Sequence, residues 1–164
     1  MHSLGAPILT LDEFAKIRPT LGRVVAVSGG FDPIHPGHIS NIIEAKKLGE
    51  TLVVIVNGDN FLRTKKGKEF QDLRTRCLIV SAISAADYVI PFEIEGDTTV
   101  SKALEVIHPT IFAKGGDRSS PEKMPEWELC QRLGIQIVFG VGLDKEWSSS
   151  WFLKEWEDFA RGRD

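Results

Sequence analysis

Five short runs rich in valine and isoleucine recur along the chain, and longer stretches with helical periodicity separate them. Continuous apolar runs of this length are typical of strands that are buried on both faces, as in a parallel sheet covered by helices. This alternation constrains the fold more than any other feature of the sequence, and it predicts an α/β chain. The predicted strands cover residues 24–28, 52–56, 88–90, 110–113 and 135–139.

Several of the helical stretches carry start signals. Thr10 and Glu13 have the spacing of a capping box, and Ser120 followed by Pro121 is typical of an N-cap with proline in the first turn. The order of helix, then strand and helix repeated, predicts a Rossmann-like, doubly wound, mainly parallel five-stranded sheet with helices on both faces. Ligands bind such sheets beyond the carboxyl ends of the strands. The predicted helices cover residues 11–17, 37–48, 72–85, 99–107, 121–133 and 150–160.

Length and composition limit the classes of protein to which the chain can belong. Its 164 residues suit one domain, so residues 1–164 are predicted to form a single domain. The net charge of -3 argues against a broad surface for nucleic acid, but it is compatible with a local cationic pocket for a small phosphate. No stretch approaches the roughly 18 apolar residues of a membrane span, so no membrane partner is expected, and the predicted location is cytoplasmic.

Two histidines stand where the first predicted strand gives way to a helix, in the segment GGFDPIHPGH at residues 29–38. Pro36 suits the first helical turn, which puts His35 and His38 on one side of a helix N-terminus. Unpaired backbone N–H groups and the helix dipole favour an anion there, and imidazole donors can stabilise charge that develops on a phosphate. Gly37 has no side chain, so a phosphate could approach the backbone closely. The alternative on these residues alone is a capping histidine beside a half-buried one.

This segment resembles the HxGH signature of a nucleotidyltransferase superfamily that also includes the class I aminoacyl-tRNA synthetases. The resemblance to its cytidylyltransferase-like family extends over residues 9–156. In that family a phosphorylated substrate attacks the α-phosphorus of an NTP, pyrophosphate leaves, and both histidines stabilise the transition state. The resemblance therefore implies catalytic roles for His35 and His38 and a substrate-binding role for Asp32. It also implies nucleotide contacts from Gly30, Phe31, His35, Gly37 and His38.

Polar residues in two later segments extend the resemblance. In the segment VVIVNGD, Asn57 and Asp59 match family positions that face the substrate, although after a buried strand they could equally be turn formers. In the segment LRTRCLIV, Arg76 matches a catalytic and substrate-binding arginine that points into the site from the start of a helix, and Arg74 is the alternative. A surface salt bridge is the other interpretation, but the helix dipole slightly disfavours a cation at that end.

The segment RTKKGKEF is rich in lysine. A solvated basic loop is the usual interpretation of such a run. In the family a mobile loop at this place supplies a lysine to the phosphates. The alignment favours Lys66 as this catalytic residue, and Lys65 or Lys68 could serve instead.

Two segments near the C-terminus complete the implied nucleotide site. The strand followed by KGGD looks like heptose 1-phosphate adenylyltransferases more than glycerol-3-phosphate cytidylyltransferases, and it implies nucleotide contacts from Lys114, Gly115 and Asp117. Family members have a serine or threonine triplet that contacts the β- and γ-phosphates. The triplet is matched by Ser148, Ser149 and Ser150 ahead of the last helix, but Trp147 stands where a small residue is usual.

The predicted function is transfer of NMP from an NTP, with ATP favoured, to a phosphorylated sugar or small alcohol such as heptose 1-phosphate. Mg²⁺ is expected to arrive with the NTP, and no metal site is predicted within the chain itself. The alternatives are a CTP-dependent cytidylyltransferase, a nicotinate mononucleotide adenylyltransferase and a nucleotide-sensing module without catalysis. A homodimer is a possible assembly, because the tryptophan-rich C-terminal end could cover the core or face a second subunit.

Overall fold

A computed structural model describes residues 1–116 and 121–163 of the chain. Five parallel strands form one sheet in the order β3-β2-β1-β4-β5. This arrangement confirms the predicted Rossmann-like α/β fold with a parallel five-stranded sheet. The strands are β1 Val24–Gly29, β2 Thr51–Asn57, β3 Tyr88–Phe92, β4 Ile111–Ala113 and β5 Gln136–Val138.

Helices separate the strands as predicted, with one additional helix directly after β2. A capping box between Thr10 and Glu13 starts the first helix, in agreement with the sequence. The helices are α1 Leu11–Ile17, α2 Pro36–Lys46, α3 Asp59–Lys66, α4 Leu73–Ser81, α5 Ser101–Ile107, α6 Trp127–Leu133 and α7 Ser149–Arg161, with short 3-10 turns at Arg18–Thr20 and Pro121–Lys123. Within residues 1–116 and 121–163, no helix is both long and apolar enough to cross a membrane.

The core consists of two apolar clusters, one on each face of the sheet. Alternate residues of β1 point to opposite faces, so Val25 and Val27 belong to one cluster and Val24 and Ala26 to the other. Helices α2 and α4 contribute to the first cluster, and α1, α5 and α6 contribute to the second. The prediction of helices on both faces is therefore confirmed.

The strand order places the reversal of the chain path between β1 and β4. The chain runs outward from β1 to β2 and β3, then crosses to β4 and β5 on the other side of β1. In such sheets the crevice beyond the carboxyl ends of the strands lies at this reversal. The HPGH turn follows β1 directly, so the fold puts both histidines at that crevice.

Two predicted segments differ in the structure. The lysine-rich segment was predicted as a loop, but its first part ends α3, where Leu62 is buried and Gly67, with φ of 90°, closes the helix. The predicted helix over 121–133 is a 3-10 turn followed by α6, because a helix cannot run through Pro125, which lacks an N–H. The predicted cap Ser120 lies outside the described residues.

Candidate active site

A cleft of about 890 Å³ opens beyond the carboxyl ends of β1, β2 and β4. Many of the residues predicted from the sequence line it. They are Gly30, Phe31, His35, Gly37, His38, Asn57, Lys114 and Gly115. Chain segments that are far apart in the sequence therefore meet at one site.

The HPGH turn holds its two imidazoles against each other. His35 is the N-cap of α2, and its backbone N–H donates a hydrogen bond of 3.2 Å to Nδ1 of His38. The two rings stack with centroids 3.7 Å apart and planes inclined by 22°. Because Nδ1 of His38 accepts a hydrogen bond, the proton of the neutral ring resides on Nε2.

Burial keeps both histidines neutral. It lowers the pKa of His38 from 6.5 to about 3, and the charges of His35, Lys65 and Lys66 add to this effect. Burial also lowers the pKa of His35. At neutral pH both imidazoles are therefore suited to bind a phosphate as hydrogen-bond donors, not as cations.

The neighbours of the histidines shape this pair. A Cβ atom on Gly37 would lie 3.0 Å from Cε1 and 3.1 Å from Nδ1 of His35. The glycine therefore makes room for the His35 ring, and the approach of a phosphate to its backbone remains a prediction. Phe31, a buried residue with φ of 52°, contacts His38 edge-on with ring centroids 5.2 Å apart.

Asp32 lies beneath the cleft. Its fully buried carboxylate accepts hydrogen bonds of 2.7 Å from the N–H groups of Phe70 and Gln71, and it pairs with Lys66 at 3.0 Å. Neither Asp32 nor Lys66 lines the cleft, whereas Lys65 does. The structure thus places the alternative Lys65 at the cleft and pairs Lys66 with the buried carboxylate, and the choice of the lysine that serves the phosphates remains a prediction.

Arg76 is also internal, which corrects the prediction that it points into the site. Its side chain is fully buried and contacts Asp59 at 2.7 Å. It also donates to the backbone carbonyl oxygens of Gly30, Asn57 and Gln71. Neither Arg76 nor Asp59 lines the cleft. Arg76 therefore joins the ends of β1 and β2 to the start of α4 from below.

The KGGD turn follows β4 at the other side of the cleft. Nζ of Lys114 lies 4.6 Å from the ring centroid of Phe112. A Cβ on Gly115 would lie 3.0 Å from Nδ2 of Asn41, and Gly116 has φ of 69°, which favours glycine. Asp117, the predicted fourth member of this turn, lies outside the described residues.

The three predicted serines do not line the cleft. Ser148 caps α7 by accepting a hydrogen bond from the N–H of Trp151, and Ser149 donates to the carbonyl oxygen of Pro33 at 2.7 Å. Ser150 is exposed. The residue that does reach the cleft from this segment is Trp147. Phosphate binding by the serines remains a prediction.

The C-terminal helix does not cover the core. None of its thirteen residues, all of which the structure describes, is buried. Trp151, Trp156 and Phe159 are each more than half exposed. Of the two predicted roles for this end of the chain, covering the core is wrong, and the homodimer remains a prediction.

The cleft also contains residues that the sequence did not single out. Asn41 lies one helical turn after His38, and its amide donates 2.8 Å to the carbonyl oxygen of Val141, so the spacing from His38 could have identified it. Thr98, Thr99 and Glu126 also line the cleft, and they belong to no motif of the sequence. Within 1–116 and 121–163, no group of three or more histidine, cysteine or acidic side chains could hold a metal ion.

Comparisons with known proteins agree with this arrangement. The profile of the cytidylyltransferase-like family matches residues 26–142. The bifunctional protein HldE of Histophilus somni (strain 129Pt) is 36% identical over 112 residues, which are 67% of this chain and 22% of that protein. The chain spans about a quarter of the length of the HldE relatives that it matches, from 21% to 28%.

Solved structures with a similar fold extend the comparison. A lipopolysaccharide core biosynthesis protein from Thermoplasma volcanium GSS1 is 30% identical with a TM-score of 0.62, over 74% of this chain and 98% of that chain. Pantoate-beta-alanine ligase from Francisella tularensis has a TM-score of 0.63 over 88% of this chain and 69% of that chain, but at 16% identity it shares the fold alone. By the family match and by the arrangement of the HPGH turn, the chain belongs to the cytidylyltransferase-like family of nucleotidyltransferase enzymes.

Proposed function

We propose that the chain transfers NMP from an NTP to a phosphorylated sugar or small alcohol and releases pyrophosphate. The observation that carries this proposal is the stacked, neutral pair of His35 and His38 at the start of α2. The same cleft is lined by Lys65 and Lys114. Such groups are suited to align phosphates and to stabilise the charge that develops on them during displacement.

The proposed reaction needs no nucleophile from the protein. An oxygen of the acceptor phosphate attacks the α-phosphorus, and the bond from that phosphorus to the oxygen bridging the α- and β-phosphates breaks. Pyrophosphate leaves with the electron pair of that bond. A phosphate monoester with a second pKa of about 6 is already largely ionised at neutral pH, so no general base is required. His38 would donate through Nε2–H, with His35 and Lys65 beside it.

ATP and a sugar phosphate are the preferred substrates in this proposal. The strand followed by KGGD resembles heptose 1-phosphate adenylyltransferases, which favours ATP. A similar solved structure is named a lipopolysaccharide core biosynthesis protein, and this supports a sugar phosphate such as heptose 1-phosphate. A cytoplasmic location and a possible homodimer belong to the same proposal.

Mg²⁺ is proposed to enter with the NTP. When bound, it supplies neutralisation of phosphate charge. The part of the chain that the structure describes offers no cluster of three metal-binding side chains. In this proposal the ligands of the ion come mainly from phosphate oxygens and water, as is common for Mg²⁺ at nucleotide sites.

The first test measures pyrophosphate release with Mg²⁺ and each of ATP, CTP, GTP and UTP. The acceptors are heptose 1-phosphate, other sugar 1-phosphates, glycerol 3-phosphate and nicotinate mononucleotide. We expect turnover with ATP and a sugar 1-phosphate. Turnover with CTP and glycerol 3-phosphate, or with nicotinate mononucleotide, would replace the proposed substrates by one of the alternatives.

A variant separates catalysis from nucleotide sensing. We expect His38→Ala to lose at least about a hundredfold in turnover while it still binds ATP, because the imidazole acts mainly on the transition state. ATP binding is measured by calorimetry for the wild type and the variant. A wild-type protein that binds ATP but releases no pyrophosphate with any acceptor would point to a sensing module.

A further inference from the structure

Polar side chains from the end of β2, from the loop after β3 and from the residue before α6 line part of the cleft. Asn57 ends β2, and the loop from Asp97 to Val100 follows β3. Glu126 is the residue before α6, and its side chain accepts a hydrogen bond from the N–H of Val100 in the same loop. We call these cleft-lining residues the β2-side cluster: Asn57, Thr98, Thr99 and Glu126.

Glu126 is a buried carboxylate whose hydrogen bonding is incomplete. It is 6% exposed, and its Oε1 accepts a hydrogen bond of 3.2 Å from the N–H of Val100. Its Oε2 accepts none from residues 1–116 and 121–163, and no lysine, arginine or histidine in those ranges forms an ion pair with it. Buried charges are normally paired because their desolvation is costly. The N–H of Val100 accounts for one oxygen and leaves the other for a ligand.

The hydrogen bonding of the Asn57 side chain is also incomplete. It is 7% exposed, and its backbone oxygen accepts a hydrogen bond from Arg76, which holds the residue in place. Its carboxamide forms no hydrogen bond with any residue that the structure describes. Two side chains that are more than nine-tenths buried thus face the cleft with unused hydrogen-bonding atoms.

We propose that the β2-side cluster binds the hydroxyl groups of the acceptor, which would make the acceptor a polyhydroxylated phosphate such as a sugar 1-phosphate. The inference rests on the proposed nucleotidyl transfer and names the part of the acceptor that the chain recognises. A carboxylate only accepts hydrogen bonds, and hydroxyl groups supply the donors that it lacks. An acceptor without hydroxyl groups leaves Glu126 unpaired, and sites of this kind discriminate strongly against such ligands.

The decisive variant is Glu126→Gln, which keeps the volume of the side chain and an oxygen for the N–H of Val100 but removes the charge. We expect the KM for the sugar 1-phosphate to rise at least about tenfold while the KM for ATP stays within about twofold. Ethyl phosphate, which has no hydroxyl group beyond its phosphate, should be used equally poorly by both proteins. The matched control is Glu128→Gln, the same change at an exposed position outside the cleft.

A second variant tests the inference even if Glu126→Gln does not fold. Asn57→Ala removes no hydrogen bond to a described residue, so we expect it to fold and to raise the acceptor KM at least about fivefold. Unchanged acceptor KM values in both variants would overturn the inference. It would also be overturned by a rise in the KM for ATP alone, since the cluster would then face the nucleotide.

Calorimetry distinguishes failure of this inference from failure of the proposed function. If the wild type releases no pyrophosphate with any acceptor, the proposed function fails. Binding of glucose 1-phosphate, mannose 1-phosphate and heptose 1-phosphate then decides the inference. Weaker binding by Glu126→Gln than by the wild type supports it, and equal binding or no binding contradicts it.

Discussion

At the residue scale, the HPGH turn organises itself before any ligand arrives. The backbone N–H of His35 determines which nitrogen of His38 carries the proton, and the ring of His35 rests over Gly37. Phe31 supports His38 from its other side. The turn is therefore preorganised for donating hydrogen bonds to a phosphate, which reduces the reorganisation needed during the reaction.

The half-buried His38 makes the free energy of unfolding depend on pH. In the unfolded chain its imidazole takes up a proton as the pH falls through about 6.5, whereas burial delays this in the native chain until about 3. Between these values protons favour the unfolded chain, so the free energy of unfolding falls as the pH falls. As the pH falls, we expect the free energy of unfolding of the wild type to decrease by up to about 1.4 kcal/mol per pH unit more than that of His38→Gln.

Urea unfolding at about pH 7 and about pH 5 checks this prediction. The exposed His2 offers a control, because His2→Gln should keep the pH dependence of the wild type. Equal pH dependence in the wild type and His38→Gln would contradict the lowered pKa of His38.

Gly37→Ala should separate activity from stability. The added Cβ would press on the His35 ring at 3.0–3.1 Å, whereas alanine favours the helix by up to about 1 kcal/mol over glycine. We expect turnover to fall about tenfold or more while the free energy of unfolding stays the same or rises slightly. Steady-state kinetics and urea unfolding measure the two effects, and an unchanged turnover would show that the His35 position is not critical.

At the scale of elements, buried charges hold the loops of the site together. Asp32 joins the turn before α2 to the segment between α3 and α4. Arg76, on α4, joins the carboxyl ends of β1 and β2 through the carbonyl oxygens of Gly30 and Asn57. The cleft thus keeps its shape because charged hydrogen bonds beneath it connect elements that apolar packing alone does not orient.

Arg76→Ala tests whether this residue positions the loops or contacts substrate. Its removal leaves Asp59 and the backbone oxygens above it without their donor, so we expect a loss of about 3–5 kcal/mol in the free energy of unfolding. The exposed Arg74 is the matched control, and Arg74→Ala should change stability by less than about 0.5 kcal/mol. An Arg76→Ala protein of normal stability with a raised acceptor KM would instead support direct substrate contact.

At the scale of the whole molecule, stability resides in the two clusters that flank the sheet. Phe112 of β4 is fully buried in the second cluster, whereas Trp156 of α7 is 64% exposed. Helix α7 is held mainly at its start, where Ser149 contacts the turn before α2. The large aromatic side chains of α7 therefore contribute little to the folded state of the single chain.

Two alanine substitutions compare the contributions of the core and of α7 to the free energy of unfolding. Phe112→Ala should lower the free energy of unfolding by about 3–5 kcal/mol, because it leaves a cavity in the core. Trp156→Ala should change it by less than about 0.5 kcal/mol. Both values come from urea unfolding at low protein concentration. A large loss for Trp156→Ala that grows with protein concentration would reveal that α7 is buried against a second copy.

The sequence by itself determined the sheet, the order of its strands along the chain and the histidine turn. These features rest on local patterns: apolar runs for the strands, a capping box for α1, and proline and glycine around His35 and His38. The local patterns missed α3, which is short, has one buried residue, Leu62, and lies in a lysine-rich segment that is typical of a solvated loop.

Only the tertiary structure decided which charged residues face the cleft. Lys65 and Lys66 are neighbours with identical side chains, but Lys66 pairs with the buried carboxylate of Asp32, whereas Lys65 lines the cleft. Arg76 lies beneath the site because hydrogen bonds hold it there. Its partners are backbone oxygens at the ends of β1 and β2 and in the segment before α4. Burial and pairing depend on residues distant in the chain, and Glu126 meets Val100 only because α6 packs beside the loop after β3.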